Sequence, residues 1–183
     1  MQVEIFKIRL SKLAASSRLV GRDKGRLTYL DLDQLVAEQT DQEKYEISFR
    51  DISLIDASFL LYSVLPVIHQ YAGQRFFVLS ELASDDLLDN VKAAASERGQ
   101  PVVVLHQGAL RTVGPNLSRV HQSVFKYLSA HRRETTASIA EQLEISLQSA
   151  GNHLTRMVKQ GVIVRHLGQA ERGGREYSYS TVL

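Results

Sequence analysis

The sequence predicts two domains. The first is an α/β domain whose parallel or mixed sheet is covered by helices. The second is an α+β domain, mainly helical and closed by a hairpin. Three observations carry this reading. Residues 1–106 alternate strand-like and helix-like signals, the pattern of a helix-covered sheet. "HQGALRTVGPNLS", residues 106–118, breaks that rhythm with two glycines and a proline. Residues 118–183 then read helix, helix, helix, hairpin. The expected boundaries are 1–108 for the first domain, 109–117 for a linker and 118–183 for the second.

In the first domain "VEIFKIRL" reads as a strand with imperfect alternation. Thr28 followed by Asp31 fits a capping box, so a short amphipathic helix is expected there, with Leu30, Leu35 and Val36 on its apolar side. "YEISF" is a second strand and "SFLLYSVLPVIHQY" an apolar helix, in which Pro66 predicts a kink or a late start. "RFFVLS" is a third strand. "SDDLLDNVKAAASERG" is a helix with acids in its first turn and Arg98-Gly99 closing it, and "PVVVL" is a fourth strand. A helix apolar nearly all round, as over 59–71, is either fully buried or shares a face with a partner such as a second copy.

In the second domain "SRVHQSVFKYLSAH" sets Val120, Val124, Phe125 and Leu128 on one face, and "TASIAEQL" carries Ile139, Ala140 and Leu143 inward. "SLQSAGNHLTRMVKQG" follows with Ser146 as its N-cap. "VIVRHLGQ" and "REYSYSTV" are alternating strands around the basic "AERGGRE".

Composition narrows the function. With 44% hydrophobic and 23% charged residues the chain is ordinary for a folded protein. The absence of cysteine excludes disulfides, thiolate nucleophiles and cysteine-based zinc sites. No run approaches the ~18 apolar residues of a membrane span, and "MQVEIFKIRL" does not resemble a signal peptide, so a cytoplasmic protein without membrane contact is expected. The net charge of +2 divides unevenly. Residues 1–115 hold 13 Lys and Arg against 15 Asp and Glu, whereas residues 116–183 hold 9 against 5 and four of the six histidines. That sign suits an acidic partner for the second domain.

The helix opened by Ser146 has two faces. At about 100° per residue, Leu147, Ala150, Leu154, Met157 and Val158 share one side. Gln148, Ser149, Asn152, Arg156, Lys159 and Gln160 share the other, with His153 and Thr155 at the boundaries. The outward face holds no acid. Asn and Gln can bond adenine edges bidentately, Arg can bond guanine, and Lys can bond phosphate. Gly151 inside this helix costs ~1 kcal/mol, which a close backbone approach would explain.

"TASIAEQLEISLQSAGNHLTRMVKQGVIVRH" resembles the winged helix-turn-helix of bacterial transcription regulators of the MarR and ArsR type. The resemblance implies a homodimeric regulator bound to double-stranded DNA. Ser146, Gln148, Ser149, Asn152, His153, Arg156 and Lys159 would lie at the major groove, with Arg172 and Arg175 of the wing tip on the adjacent backbone or minor groove. A winged helix that only docks a protein partner is the alternative.

"YEISFRDISLIDASFLLYSVLPVI" resembles the STAS fold of anti-sigma-factor antagonists. It is closer to STAS-like domains of unknown function in which a Ser-Phe pair, here Ser58-Phe59, opens the helix. The antagonists carry a phosphorylated serine directly after the Asp, and this chain has Ala57 after Asp56. Asp56 and Ser58 are then the candidates for a helix cap or a switch, with Ser58 read as the cap and its phosphorylation as the alternative. A regulatory protein is the partner this resemblance implies.

"SRLVGRDKGR" gathers Arg18, Arg22, Lys24 and Arg26, read as a solvated basic loop or a site for a small anionic ligand. Asp31 and Asp33 have the spacing of aspartyl-nucleophile phosphatases but fall on a helix. No metal spacing, nucleophile motif or phosphate-cradling loop appears, so neither catalytic residues nor a cofactor is expected.

Overall fold

A computed structural model describes residues 4–169 and 175–183. The first part of the chain runs β1 (Phe6–Arg9), α1 (Leu10–Leu13), β2 (Arg18–Leu19), α2 (Arg22–Glu38), β3 (Lys44–Ser48), β4 (Leu54–Ile55), α3 (Ala57–Tyr62), α4 (Val64–Gln70), β5 (Phe76–Ser80), α5 (Asp85–Arg98), β6 (Val102–His106) and β7 (Ala109–Val113). The rest runs α6 (Arg119–Ala130), β8 (Glu134–Thr135), α7 (Thr136–Gln142), α8 (Leu147–Lys159), β9 (Val164–Gln169) and β10 (Arg175–Ser180). The main sheet has the order β1-β3-β5-β6-β7, with β1, β3, β5 and β6 parallel and β7 antiparallel to β6. A smaller sheet has the order β8-β10-β9, and β2 pairs with β4. The expected mixed α/β class with a mainly parallel sheet is what the chain adopts.

The sequence patterns of the strands follow from how each is covered. All five residues of β5 are buried: Phe77 and Leu79 join the core under α2 to α5, while Phe76 and Val78 join the core built by the C-terminal helices. β6 divides likewise, with Val102 and Val104 on one side and Val103 on the other. Burial on both faces accounts for the unbroken apolar runs in "RFFVL" and "PVVVL". β3 lies nearer the edge and alternates, Tyr45 and Ile47 buried against Lys44 and Glu46 half-buried.

α5 meets its expectation at both ends. The Ser84 side chain accepts from Leu87 N, Asp85 and Asp86 occupy the first turn, and Gly99 closes the helix in the left-handed conformation.

Four expectations are corrected. Residues 109–113 are not linker but β7, joined to β6 through Gln107 and Gly108 at φ +51° and +75°. Two successive left-handed residues are what a tight hairpin turn requires, so the glycine read as a boundary is a turn inside the sheet. The helix expected from Thr28 begins at Arg22, preceded by Gly21 at φ +87°. Thr28 lies within it, buried, its hydroxyl donating to Lys24 O at 3.0 Å. The single apolar helix over 59–71 is two helices, broken at Ser63; the late start expected of Pro66 is met, since it falls in the first turn of α4, where its missing N–H costs nothing. Its apolar side chains Phe59, Leu60, Val64, Leu65, Val67 and Ile68 fill the chain's own core, which leaves them no role between copies.

The fourth concerns Ser58. The cap of α3 is Asp56, whose Oδ1 accepts from Phe59 N at 2.6 Å. Both carboxylate oxygens also accept from Gly21 N, at 3.2 and 3.1 Å, tying α3 to the start of α2. Ser58 lies two residues later, at the second position of α3, and is exposed. Asp56→Ala should therefore cost about 1–2 kcal/mol in urea unfolding, the range of a lost cap, whereas Ser58→Ala should stay within about 0.5 kcal/mol of the parent. Equal losses in the two variants would contradict the assignment.

Candidate nucleic-acid interface

α7 and α8 meet across a four-residue turn. Ile145 N donates to Ala140 O at 3.0 Å and Glu144 takes φ +53°, which ends α7 and reverses the chain. Ser146 then caps α8, accepting from Ser149 N at 3.2 Å. Ala150, Leu154, Met157 and Val158 face inward against Ile139 and the rest of the second core. The helix's opposite side exposes Gln148, Asn152, Arg156 and Lys159, spaced four, four and three residues apart and hence in one stripe. Among the described residues neither Arg156 nor Lys159 makes an ion pair. Ser149 is half-buried, and the Ser146 hydroxyl already serves the cap.

Three expectations change here. Leu147 does not join the buried face; it is 59% exposed at the first position of α8. His153 turns away from the stripe, its Nδ1 lying 3.2 Å from Nε2 of the buried His121 on α6. It packs the two helices together and does not present itself outward. Gly151 meets nothing: a Cβ built there finds no atom within 4 Å, so no close approach within the chain requires it. Arg172 and the side chain of Arg175 lie outside the described residues.

Sequence reasoning overlooked a second exposed element. On the β9–β10 hairpin, Leu167 stands opposite Tyr177 in register, and both are exposed. The Arg165 guanidinium lies 4.7 Å from the Tyr177 ring centroid, a cation–π contact. The period-2 pattern of "VRHLG" and "EYSY" already places these three on one side of the hairpin.

The far end of α8 rests on the first part of the chain. A Cβ on Gly73, which sits at φ +82° between α4 and β5, would lie 3.3 Å from Lys159 Cα and 3.6 Å from Val158 O. The turn needs the positive φ, and the backbone of α8 needs the space.

The four N-terminal cations do not form one loop. Arg18 belongs to β2, and Lys24 donates to Arg18 O at 3.0 Å. Arg22 and Arg26 lie in α2 with guanidinium carbons 4.5 and 5.5 Å from the Tyr62 ring. Arg22 shares a groove with Ser58, Glu97 and Arg98. Asp33 accepts from Gln70 and Tyr71, both at 2.8 Å, and so braces α2 against α4. Among the described residues no group of three His, Asp or Glu side chains could hold a metal ion, and no helix is long and apolar enough to cross a membrane.

Two histidines have their charged form disfavoured. Burial, His153 and Arg156 lower the pKa of His121. Burial, together with Arg133 and Lys44, pushes His166 down to about 4. Its Nε2 lies 2.9 Å from Ser180 Oγ. The unfolded chain binds these protons more readily, so their contribution to stability is complete above pH ~6.5. It is lost as the pH falls from there toward 4. Urea midpoints measured across that window should decline, and His166→Gln should flatten the decline; an unchanged profile would contradict the assignment.

No family model matches the chain, and neither a curated protein nor a solved structure does.

Proposed function

We propose that the C-terminal part is a winged helix-turn-helix that binds double-stranded DNA, and that the chain is a transcription regulator. The observation that carries this is the stripe Gln148, Asn152, Arg156 and Lys159: exposed, free of acids, and mounted on a capped helix behind a tight turn. α8 is the recognition helix. Asn152, Gln148 and Arg156 read base edges, and Lys159 binds phosphate. The β9–β10 hairpin is the wing, and it presents Arg165. The order helix, short strand, helix, helix and hairpin supports this reading. The N-terminal part is a STAS-like regulatory domain, reading a protein or a small anion.

The second reading, a docking module for a protein partner, is favoured by the exposed apolar side chains of Leu147, Leu167 and Tyr177 on the same part of the molecule. Fluorescent duplexes separate the two. Under the DNA reading the affinity falls steeply with added salt, as counterions return to the phosphates. Arg156→Ala should then weaken binding by about 1–3 kcal/mol. No binding to any duplex at low salt, or full affinity in that variant, would contradict the recognition-helix assignment.

A further inference from the structure

α2 carries a surface that none of the described residues covers. It runs 17 residues, about 25 Å at 1.5 Å per residue. Its inner side is fixed by Leu32 and Val36 in the core. On its outer side Leu27 is 66% exposed and Leu30 60%, the two most exposed large apolar residues on any helix described. Single exposed leucines are ordinary; two that are three apart on one helix stand side by side.

The charges around them are ordered. Lys24 and Asp31 are seven residues apart and so share one flank of the leucine pair. Arg26 and Asp33, also seven apart, share the other. On both flanks the cation comes first. None of these four makes an ion pair among the described residues, although Lys24 donates to Arg18 O, Arg26 lies against the Tyr62 ring and Asp33 accepts from Gln70 and Tyr71. The midpoints of Lys24/Asp31 and Arg26/Asp33 each fall about one residue from that of Leu27/Leu30, on opposite sides of it. A two-fold axis near residues 28 and 29 therefore places Leu27 of one copy against Leu30 of the other. On each flank it also brings the leading cation of one copy to the trailing acid of the next. A parallel arrangement would instead set cation on cation and acid on acid, which costs energy.

We infer that a second copy of this chain packs on α2 through an antiparallel, two-fold α2–α2 contact centred on Leu27 and Leu30. The contact is isologous, so it closes at a dimer and leaves no growing edge. It goes beyond the DNA-binding reading, which requires no particular dimer surface.

Sedimentation velocity over a concentration series, without DNA, tests it. The parent chain should pass from monomer to dimer. Leu27→Glu/Leu30→Glu should remain monomeric at concentrations where the parent is dimeric, with its far-UV spectrum unchanged because both positions are exposed. The chain has no cysteine, so introduced thiols report geometry directly. A mixture of Leu27→Cys and Leu30→Cys chains should cross-link with a short bismaleimide more than either chain alone. A parent that is monomeric at every concentration would overturn the proposal. So would a dimer that survives the double substitution, or cross-linking strongest between two Leu27→Cys chains. Each result stands whether or not the chain binds DNA.

Discussion

The rest of the structure depends on β5 and β6 having both faces covered. One face is met by α2 to α5; the other offers Phe76, Val78 and Val103, which share a core with the C-terminal helices and with Ile163, Val164, Tyr179 and Val182. Each of these side chains contributes about 1.5–3 kcal/mol when fully removed from water. Together they represent a large part of the roughly 5–15 kcal/mol by which a domain of ordinary size is stable. Neither half can afford to expose its side of that contact. The main sheet and the C-terminal helices therefore behave as layers of one structure, although the sequence changes character between them.

This arrangement gives α8 a fixed mount. Its inner residues Leu154, Met157 and Val158 belong to the same core as Phe76 and Val78, and its last turn lies against Gly73. The exposed stripe is thus positioned by the sheet as well as by α7. Polar groups gather where the layers meet. Burial lowers the pKa of Lys44 on β3, and the charge of Arg133 lowers it further. Displacement of the turn between α4 and β5 would act directly on the end of the helix we assign to DNA.

Much of this was legible in the sequence where a local rule decided the outcome. Ser84 with Asp85, Asp86 and Gly99 marked both ends of α5, and Ser146 marked the start of α8, because capping involves residues three positions apart. The outward stripe of α8 followed from helical periodicity. Contacts between distant residues were not legible. The cap of α3 also ties down Gly21, 35 positions away, and His153 meets His121, 32 positions away. The start of α2 was misplaced because Gly21 makes no side-chain cap, while Thr28 and Asp31 imitate one. β7 reads as a linker in the sequence because a glycine turn within a sheet and a glycine break between domains look alike. The two-residue strands β2, β4 and β8 carry too few residues for any pattern.

Hydrogen exchange in the parent chain and in Phe76→Ala measures the shared core most directly. Truncating a buried Phe costs about 3–5 kcal/mol. If the two layers form one cooperative structure, the slowest-exchanging amides of β3 and of α8 should lose the same protection free energy. Loss of protection in β3 with α8 unchanged, or the reverse, would mean that the halves fold independently, and the shared core would not be the constraint on which the structure depends.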